Sequence, residues 1–272
     1  MIVQNAAPGA EHFVITMDQH AAFAGRLAQV FGNAAFEPVA PREIMLEVIS
    51  HHDAGWRELD GRALRDPATG LPYHLVKTPF ARIVETSSAS PDFNRRFHAY
   101  CELISSMHSW GLYNGRYGMS ERVLLNDLAA ENRTVADGML EGELARQARL
   151  KQELAADPGT RPWIEDAHLF QNYKQLQFFD TLALYFHCLP EGGRGTATFT
   201  HVPKSAHEDV TVTVHELGGG TYAFAPFPFA ESGIVLQFGG RWLAPVDSGE
   251  DVREALAARP QAHQQVKLVA AQ

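Results

Sequence analysis

The chain has 272 residues, of which 45% are hydrophobic and 20% charged, as is ordinary for a globular protein with a buried core. With 23 basic and 32 acidic residues its net charge is −9, and it has no stripe of Lys and Arg for a nucleic-acid backbone. The stretch MIVQNAAPGAEHF lacks the regions of a secretory signal, and no apolar run approaches the ~20 residues of a membrane span. We therefore expect a cytoplasmic protein that binds neither nucleic acid nor membrane, with Cys101 and Cys188 as isolated thiols.

The first predicted elements are an extended segment and a helix. Residues 13–17, FVITM, are predicted to be extended. Thr16 and Gln19 have the spacing of a capping box for a helix that begins near Asp18. Along this helix His20 recurs at helical spacing with the apolar residues Phe23, Ala24, Leu27 and Phe31. The pattern predicts that His20 points into the core.

A second helix is predicted from Pro41, because proline is tolerated in the first turn. Its apolar stripe, at positions i, i+3, i+4 and i+7, consists of Met45, Val48, Ile49 and His52. His51 is aligned with Glu47 on the more polar side, and Gly55 is interpreted as the helix stop. The pattern predicts that His52 points inward, directly before Asp53, and that His51 points outward.

The middle of the chain is predicted to be helical apart from one long loop. Residues 57–92 carry turn signals such as DPATGLP and are predicted as that loop. A helix over about 92–110 places His108 on its inner face, and a charged helix runs from Ser120 to about residue 156. An apolar helix over 162–189 contains Asp180, within LQFFDTLALYF.

The pattern changes from helical to β at Gly195. The stretches TATFTHV, DVTVTVHEL, GTYAFAPF and GIVLQFGGRWL alternate or are rich in β-forming residues, with glycine turns between them. They predict a small antiparallel sheet of about 50 residues, followed by a short helix near 250–258. The expected fold is mainly α, with a helical domain over 1–194. An antiparallel β annex with a short terminal helix, over 195–272, is expected to pack on it.

Asp180 needs a partner, because an isolated buried carboxylate is unfavourable by several kcal/mol. One alternative is a salt bridge to a cation such as Lys174, or a position on an exposed stripe. The other is a metal site that combines the inward-pointing groups His20, His52, Asp53 and Asp180. Two imidazoles and two carboxylates suit Mn, Fe, Co, Ni or Mg better than a structural zinc site. This alternative predicts one or two divalent ions.

The order of His, His-Asp and a distant Asp, all on helices, resembles the HD-domain superfamily of metal-dependent phosphohydrolases. More closely, the chain resembles an HD-like bacterial family known as domain of unknown function 3891. The stretches that carry this resemblance are DQHAAFAGRLA, HHDAGWRELDGRALRDPATGLP, SSMHSWGLYNGRYG and LQFFDTLALYF. The resemblance implies an HD-domain-like helical bundle with His20, His52, Asp53 and Asp180 as metal ligands. It also implies that His108 holds a second ion or the substrate phosphate; the alternative is a core histidine bonded to a backbone carbonyl.

Four further residues are candidates around the centre. Trp56 is predicted either to be a stacking wall for a substrate or to anchor the core. Asp60 is predicted to orient a ligand histidine or a water, and His51 to influence the centre from outside the ligand set. Arg116, in LYNGRYG, is the candidate anion contact because a guanidinium matches phosphate or carboxylate; the alternative is a solvated side chain. No role is predicted for the histidines beyond residue 160.

Three functions fit these residues. The leading hypothesis is metal-dependent hydrolysis of a small phosphoester, in which Asp53 binds the metal and accepts a proton from water and His108 is a second catalytic residue. The second is a di-iron oxygenase in which His108 or His51 completes the ligand set. The third is a non-catalytic sensor with a structural metal. A small anionic substrate is the expected partner, and the sequence does not predict the oligomeric state.

Overall fold

The computed structural model describes residues 1–7 and 9–272. Helices α1 to α9 cover Met17–Val30, Arg42–Ser50, Arg57–Arg62, Phe80–Asn94, Ala99–Tyr113, Gly115–Gly118, Ala130–Ala156, Asp166–Cys188 and Val252–Ala257. Strands β1 to β7 cover Ile2–Val3, His12–Ile15, Thr196–Ser205, Glu208–Gly218, Thr221–Ala225, Ile234–Leu243 and Ala262–Ala270. A 3-10 turn, Ala54–Trp56, joins α2 to α3 with no long connection.

In the part of the chain that is described, the strands form one curled mixed sheet in the order β1-β2-β6-β7-β5-β4-β3. Neighbouring strands are antiparallel except β5 and β7, which are parallel. Phe13 on β2 is paired with Trp242 on β6, so one edge of the sheet joins the two ends of the sequence.

The prediction of a mainly α fold, an HD-domain-like helical bundle with a small antiparallel β annex, is wrong. About 49% of the chain is helical and 21% is in strands, and the sheet includes β1 and β2 from before α1 and β7 from after α9. The extended segment predicted at residues 13–17 overlaps β2, although Met17 already belongs to α1, whereas β1 has only two residues, too few for an alternating pattern to be visible. The division into domains at residues 194 and 195 stays a prediction.

The predicted loop over 57–92 is also wrong, because this segment contains α3 and most of α4. α4 has little apolar periodicity, since its buried positions are mostly small or polar, including Thr86, Ser87 and Ser90. The charged helix α7 begins at Ala130 rather than near Ser120, and the helix predicted from about residue 92 begins at Ala99.

The capping box predicted for α1 is confirmed. Thr16 Oγ1 accepts a hydrogen bond from the backbone N–H of Gln19 at 3.2 Å, and Gln19 Oε1 accepts one from the backbone N–H of Thr16 at 2.9 Å. α1 packs along α8, and both helices contact the sheet. The aromatic side chains that fill this junction include Phe13, Phe23, Phe186 and Phe238. The facing sides of α1 and α8 therefore lie in the core.

No helix of the described residues combines the length and the apolar character needed to cross a membrane. The long helices α7 and α8, of 27 and 23 residues, both carry charged and amide side chains along their length.

Candidate metal centre

His20 is completely buried in the first half of α1. Its Nε2 lies 3.1 Å from Oδ1 of Asp180 on α8, and its Nδ1 lies 3.1 Å from Nδ1 of His187 on the same helix. Two ring nitrogens in contact require one donor and one acceptor. A proton on Nδ1 of His20 satisfies this contact and leaves the Nε2 lone pair free for a metal ion.

His52 lies in the turn after α2, because the helix ends at Ser50 and does not continue through the histidine pair. The turn nevertheless buries His52 completely, and its Nδ1 donates a hydrogen bond to the Ile49 carbonyl at 2.8 Å. Oxygens of Asp53 and Asp180 lie 3.2 and 3.6 Å from its Nε2, but neither contact has the geometry of a hydrogen bond. Among the described residues this buried nitrogen therefore has no hydrogen-bond partner.

His20, His52, Asp53 and Asp180 come together, with one potential ligand atom from each lying within 4.8 Å of all the others. The two carboxylates and two neutral imidazoles carry a formal charge of −2, which one divalent cation would neutralise. The side chain of Asp53 is 13% exposed and that of Asp180 is 6% exposed, so Asp53 lies toward the open side. The donor set and the unpartnered Nε2 of His52 both fit a divalent ion of the borderline class.

The electrostatics of the cluster favour a cation. Burial raises the pKa of the Asp180 carboxyl, but contacts with His20 and His52 outweigh burial and hold this pKa well below its usual value. Burial also raises the pKa of the Asp53 carboxyl. The neighbouring His52 outweighs burial, so this pKa lies below its usual value. For His52 burial lowers the pKa, whereas the two carboxylates raise it well above its usual value. The cluster thus holds a positive charge, supplied either by a proton or by a metal ion.

The salt-bridge alternative for Asp180 is not found. Lys174 Nζ lies 2.6 and 2.8 Å from the two carboxylate oxygens of Asp209 on β4, and Asp180 is buried rather than on an exposed stripe. The contacts of Asp180 are instead with His20 and His52.

Gly55 is needed for close packing and not as a helix stop, since α2 has already ended at Ser50. Its N–H donates to Ser90 Oγ on α4 at 3.0 Å. A Cβ at this position would overlap the Thr86 carbonyl oxygen and lie 2.7 Å from the Ser90 nitrogen. The turn that begins at Asp53 is thereby held between α4 and α1.

His187 belongs to the centre although the sequence interpretation gave it no role. It is fully buried, its Nδ1 contacts His20, and its Nε2 has no hydrogen-bond partner in the described residues. Burial is the main cause that holds its pKa well below the usual value, and proximity to His20 lowers it further, so the ring is neutral. The signal that could have identified it is its spacing from Asp180, two helical turns along the same face of α8.

His108 lies beside the cluster on α5. Its ring centroid is 5.1 Å from that of His52, and its Nδ1 is 2.6 Å from Nε2 of Gln177. It is not part of the group that could hold an ion. Burial is the main cause that lowers its pKa to about 4, so the ring is neutral near pH 7. With Gln177 donating to Nδ1, the ring proton is on Nε2 and His108 becomes a hydrogen-bond donor.

His51 and Trp56 lie away from the ligand atoms. The Nδ1 of His51 is 2.9 Å from the Glu47 carbonyl oxygen, and its ring stacks on Phe97 with centroids 4.9 Å apart. Trp56 is 7% exposed and belongs to the main apolar core. Any influence of His51 on the centre, or of Trp56 on a substrate, stays a prediction.

Asp60 is bonded to the segment that precedes α1. Its Oδ2 accepts a hydrogen bond from the backbone N–H of Met17 at 2.6 Å, and its Oδ1 is 2.8 Å from the amino group of Met1. Both carboxylate oxygens thus have partners outside the cluster, and the contact with Met17 anchors the first turn of the helix that carries His20.

Arg116 lies in α6, whose residues Gly115–Gly118 all have positive φ angles. Its side chain lines a cavity of about 220 Å³ to which Gln177, the partner of His108, also contributes. The arginine is thus on the side of α8 that faces His108.

The fold and this cluster define a mixed α and β protein with a buried His/Asp centre that could hold a metal ion. A family model described as "Protein of unknown function (DUF3891)" matches residues 1–244, and the chain belongs to this family. Comparison with curated proteins gave no match, and comparison with solved structures gave none either. The matched range includes all four residues of the centre.

Proposed function

We propose that the protein is a metal-dependent hydrolase that cleaves a small phosphoester or a related ester at the His/Asp centre. The observation that carries the proposal is the group of two imidazoles and two carboxylates around the unpartnered Nε2 of His52, with ligand atoms within 4.8 Å of one another. The order of these residues along the chain is similar to the ligand pattern of the HD-domain superfamily of metal-dependent phosphohydrolases.

The position of each residue in the centre indicates its role in this reaction. A divalent ion held by these residues would supply Lewis-acid polarisation of the ester and would lower the pKa of a bound water. His20, His52, Asp53 and Asp180 would hold the ion, with Asp53 on the more exposed side. Asp53 would accept through its free oxygen the proton of the water whose oxygen bonds to phosphorus. The ester P–O bond breaks, and the leaving alkoxide takes up a proton from solvent to give the alcohol. His108 donates a hydrogen bond from Nε2 to a substrate oxygen.

A single ion fits these contacts better than the ion pair of a di-iron oxygenase. Neither His51 nor His108 belongs to the group of ligand atoms that lie within 4.8 Å of one another, and the His51 ring stacks on Phe97. The partial exposure of Asp53 also favours a catalytic role over a closed structural site, since catalytic ions keep an open position.

The test is hydrolysis of phosphomonoesters and phosphodiesters, beginning with p-nitrophenyl phosphate and bis(p-nitrophenyl) phosphate, by protein loaded in turn with Mn, Fe, Co, Ni or Mg. We expect metal-dependent release of the alcohol. We expect Asp180→Asn to lower it at least about 100-fold, because stabilisation of several kcal/mol is lost with the metal. The matched control is Asp166→Asn, on the same helix but 86% exposed, which should retain the activity.

Two results would contradict the proposal. One is that no ester in the panel is hydrolysed with any of the metals. The other is that Asp180→Asn and Asp166→Asn hydrolyse the substrate as fast as the unsubstituted chain.

A further inference from the structure

A cavity of about 220 Å³ lies between α8, β3 and the turn of α6. It is smaller than the roughly 300–1,000 Å³ typical of pockets for drug-sized ligands, so it suits a small ligand or one end of a larger one. The polar side chains that line it include Arg116, Lys174, Gln177, Thr181 and His201. Among the described residues, no Asp or Glu lines the cavity.

Arg116 is the uncompensated charge of the cavity. Lys174 is already paired with Asp209, at 2.6 Å. In the described residues no carboxylate lies within 4.0 Å of the Arg116 guanidinium, whereas the exposed Arg122, farther along the same connection, pairs with Asp127 at 3.6 Å. Arg116 is partly buried, and among the described residues its guanidinium has no carboxylate partner, which favours an anionic ligand.

The backbone at Arg116 is held in an unfavourable conformation. Arg116 and Tyr117 have φ angles of 52° and 57°, in the left-handed region that residues with a Cβ rarely adopt. Tyr117 fixes this turn, because its ring packs 4.6 Å from Trp110 and 5.0 Å from Tyr173, measured between centroids. Such conformations persist where surrounding contacts over-determine them, and they cluster at ligand sites.

His201, which lines the cavity from β3, has a similar conformation. It has a φ of 57° in the irregular part of β3, between the paired residues Phe199 and Val202. Its Nδ1 is 3.2 Å from Thr200 Oγ1. The cavity therefore has a left-handed residue with a nitrogen-bearing side chain on each of two walls.

The cavity is linked to the His/Asp centre through α8. Gln177 lines the cavity and contacts His108 at 2.6 Å, and the His108 ring lies against His52. Thr181, which also lines the cavity, directly follows Asp180. One turn of α8 thus contributes both to the cavity wall and to the centre.

We infer that this cavity binds an oxyanion of the substrate, a phosphate or a carboxylate, with Arg116 as its charged contact and the Gln177 and His201 side chains as further hydrogen-bonding groups. The inference rests on the proposed function, because it places this anion beside the ester that the centre cleaves. It restricts the substrates to small molecules that carry an anionic group near the scissile bond.

The test is calorimetric titration of the full chain with inorganic phosphate, and separately with acetate, at constant ionic strength, before and after treatment with a chelator. We expect Arg116→Gln to weaken anion binding roughly 10–100-fold, because a hydrogen bond to a charged group is lost. Arg116→Lys should restore part of it. The control Arg122→Gln removes an arginine that is 75% exposed and should bind the anion like the unsubstituted chain.

Tighter binding of phosphate than of acetate identifies a phosphoryl group as the ligand, and the reverse order identifies a carboxylate. The inference is overturned if the unsubstituted chain binds neither anion, if Arg116→Gln and Arg122→Gln bind alike, or if chelation abolishes binding. The protein could also bind the anion through Arg116 and yet hydrolyse no ester. That result would support the anion site and reject the proposed function.

Discussion

At the scale of single residues, the two nitrogens of each buried histidine have different partners. The Nδ1 of His52 is bonded to a backbone carbonyl, and the Nδ1 of His20 contacts another imidazole. In both rings Nε2 faces the carboxylates of Asp53 and Asp180. A histidine that binds a metal through one nitrogen commonly has the other held by a hydrogen bond, which fixes the ring and its tautomer.

His187 holds the ring of His20, so its loss should weaken metal binding without removing a ligand. We expect His187→Leu to lower metal affinity by about 10–100-fold, as measured by competition with a chromophoric chelator. The control His168→Leu changes a histidine on the same helix that bonds to the Ala40 carbonyl instead. Equal metal affinities for the two variants would show that His187 does not position His20.

The sequence predicted the inward direction of His20, His52 and Asp180, because each recurs with apolar neighbours at helical spacing or interrupts an apolar run. It did not predict the contact between His20 and His187, since a contact between helices so distant in sequence leaves no local pattern. The assignment of His52 to the helical stripe also had the wrong local structure, because the histidine lies in the turn after α2.

At the scale of elements, one local signal was confirmed and others were not: the turn signals of 57–92 did not mark a loop, and Ser120 did not begin α7. The start of α1 was predictable because the Thr16–Gln19 capping box lies within one turn. α4 was missed because it packs through small polar side chains and contains Pro91. Its packing is nevertheless important for the centre, since Thr86 and Ser90 form the surface against which Gly55 lies.

The substitution Gly55→Ala should destabilise the protein by about 1–3 kcal/mol or more, because the new Cβ meets the backbone of α4. Metal affinity should fall as well, since the displaced turn begins at Asp53. The control Gly61→Ala, in α3, adds a Cβ in open space and should be neutral or slightly stabilising. Urea unfolding and metal titration measure both effects, and equal stability of the two variants would contradict this account of Gly55.

At the scale of the whole molecule, the sheet joins distant segments. β1 and β2 extend its edge beyond β6, and its inner face packs on α1 and α8, where Phe238 contacts Phe23 and Tyr222 contacts Phe186. Strands β3 to β6 were visible in the sequence because they are β-rich, whereas β7 was not predicted. The pairing of β2 with β6 and the parallel pairing of β5 with β7 were not visible, because register between distant strands is determined by tertiary packing.

The segment 195–272 expressed alone should therefore not fold. Without α1 and α8 it would expose the apolar face that includes Tyr222 and Phe238, and without β2 the edge of β6 would be unpaired. The measurement is the amide dispersion of its NMR spectrum, with the full chain as the control. A well-dispersed spectrum from the segment would show that it is an independent domain.

Metal stoichiometry after gel filtration, for the unsubstituted chain and for His52→Ala and His51→Ala side by side, tests the proposed centre most directly. We expect about one divalent ion per chain for the unsubstituted protein and for His51→Ala, whose imidazole stacks on Phe97 outside the cluster. His52→Ala should retain almost none, because the ion loses a ligand between two buried carboxylates. A metal-free His51 variant together with a fully loaded His52 variant, or an unsubstituted chain that retains no metal, would contradict the account.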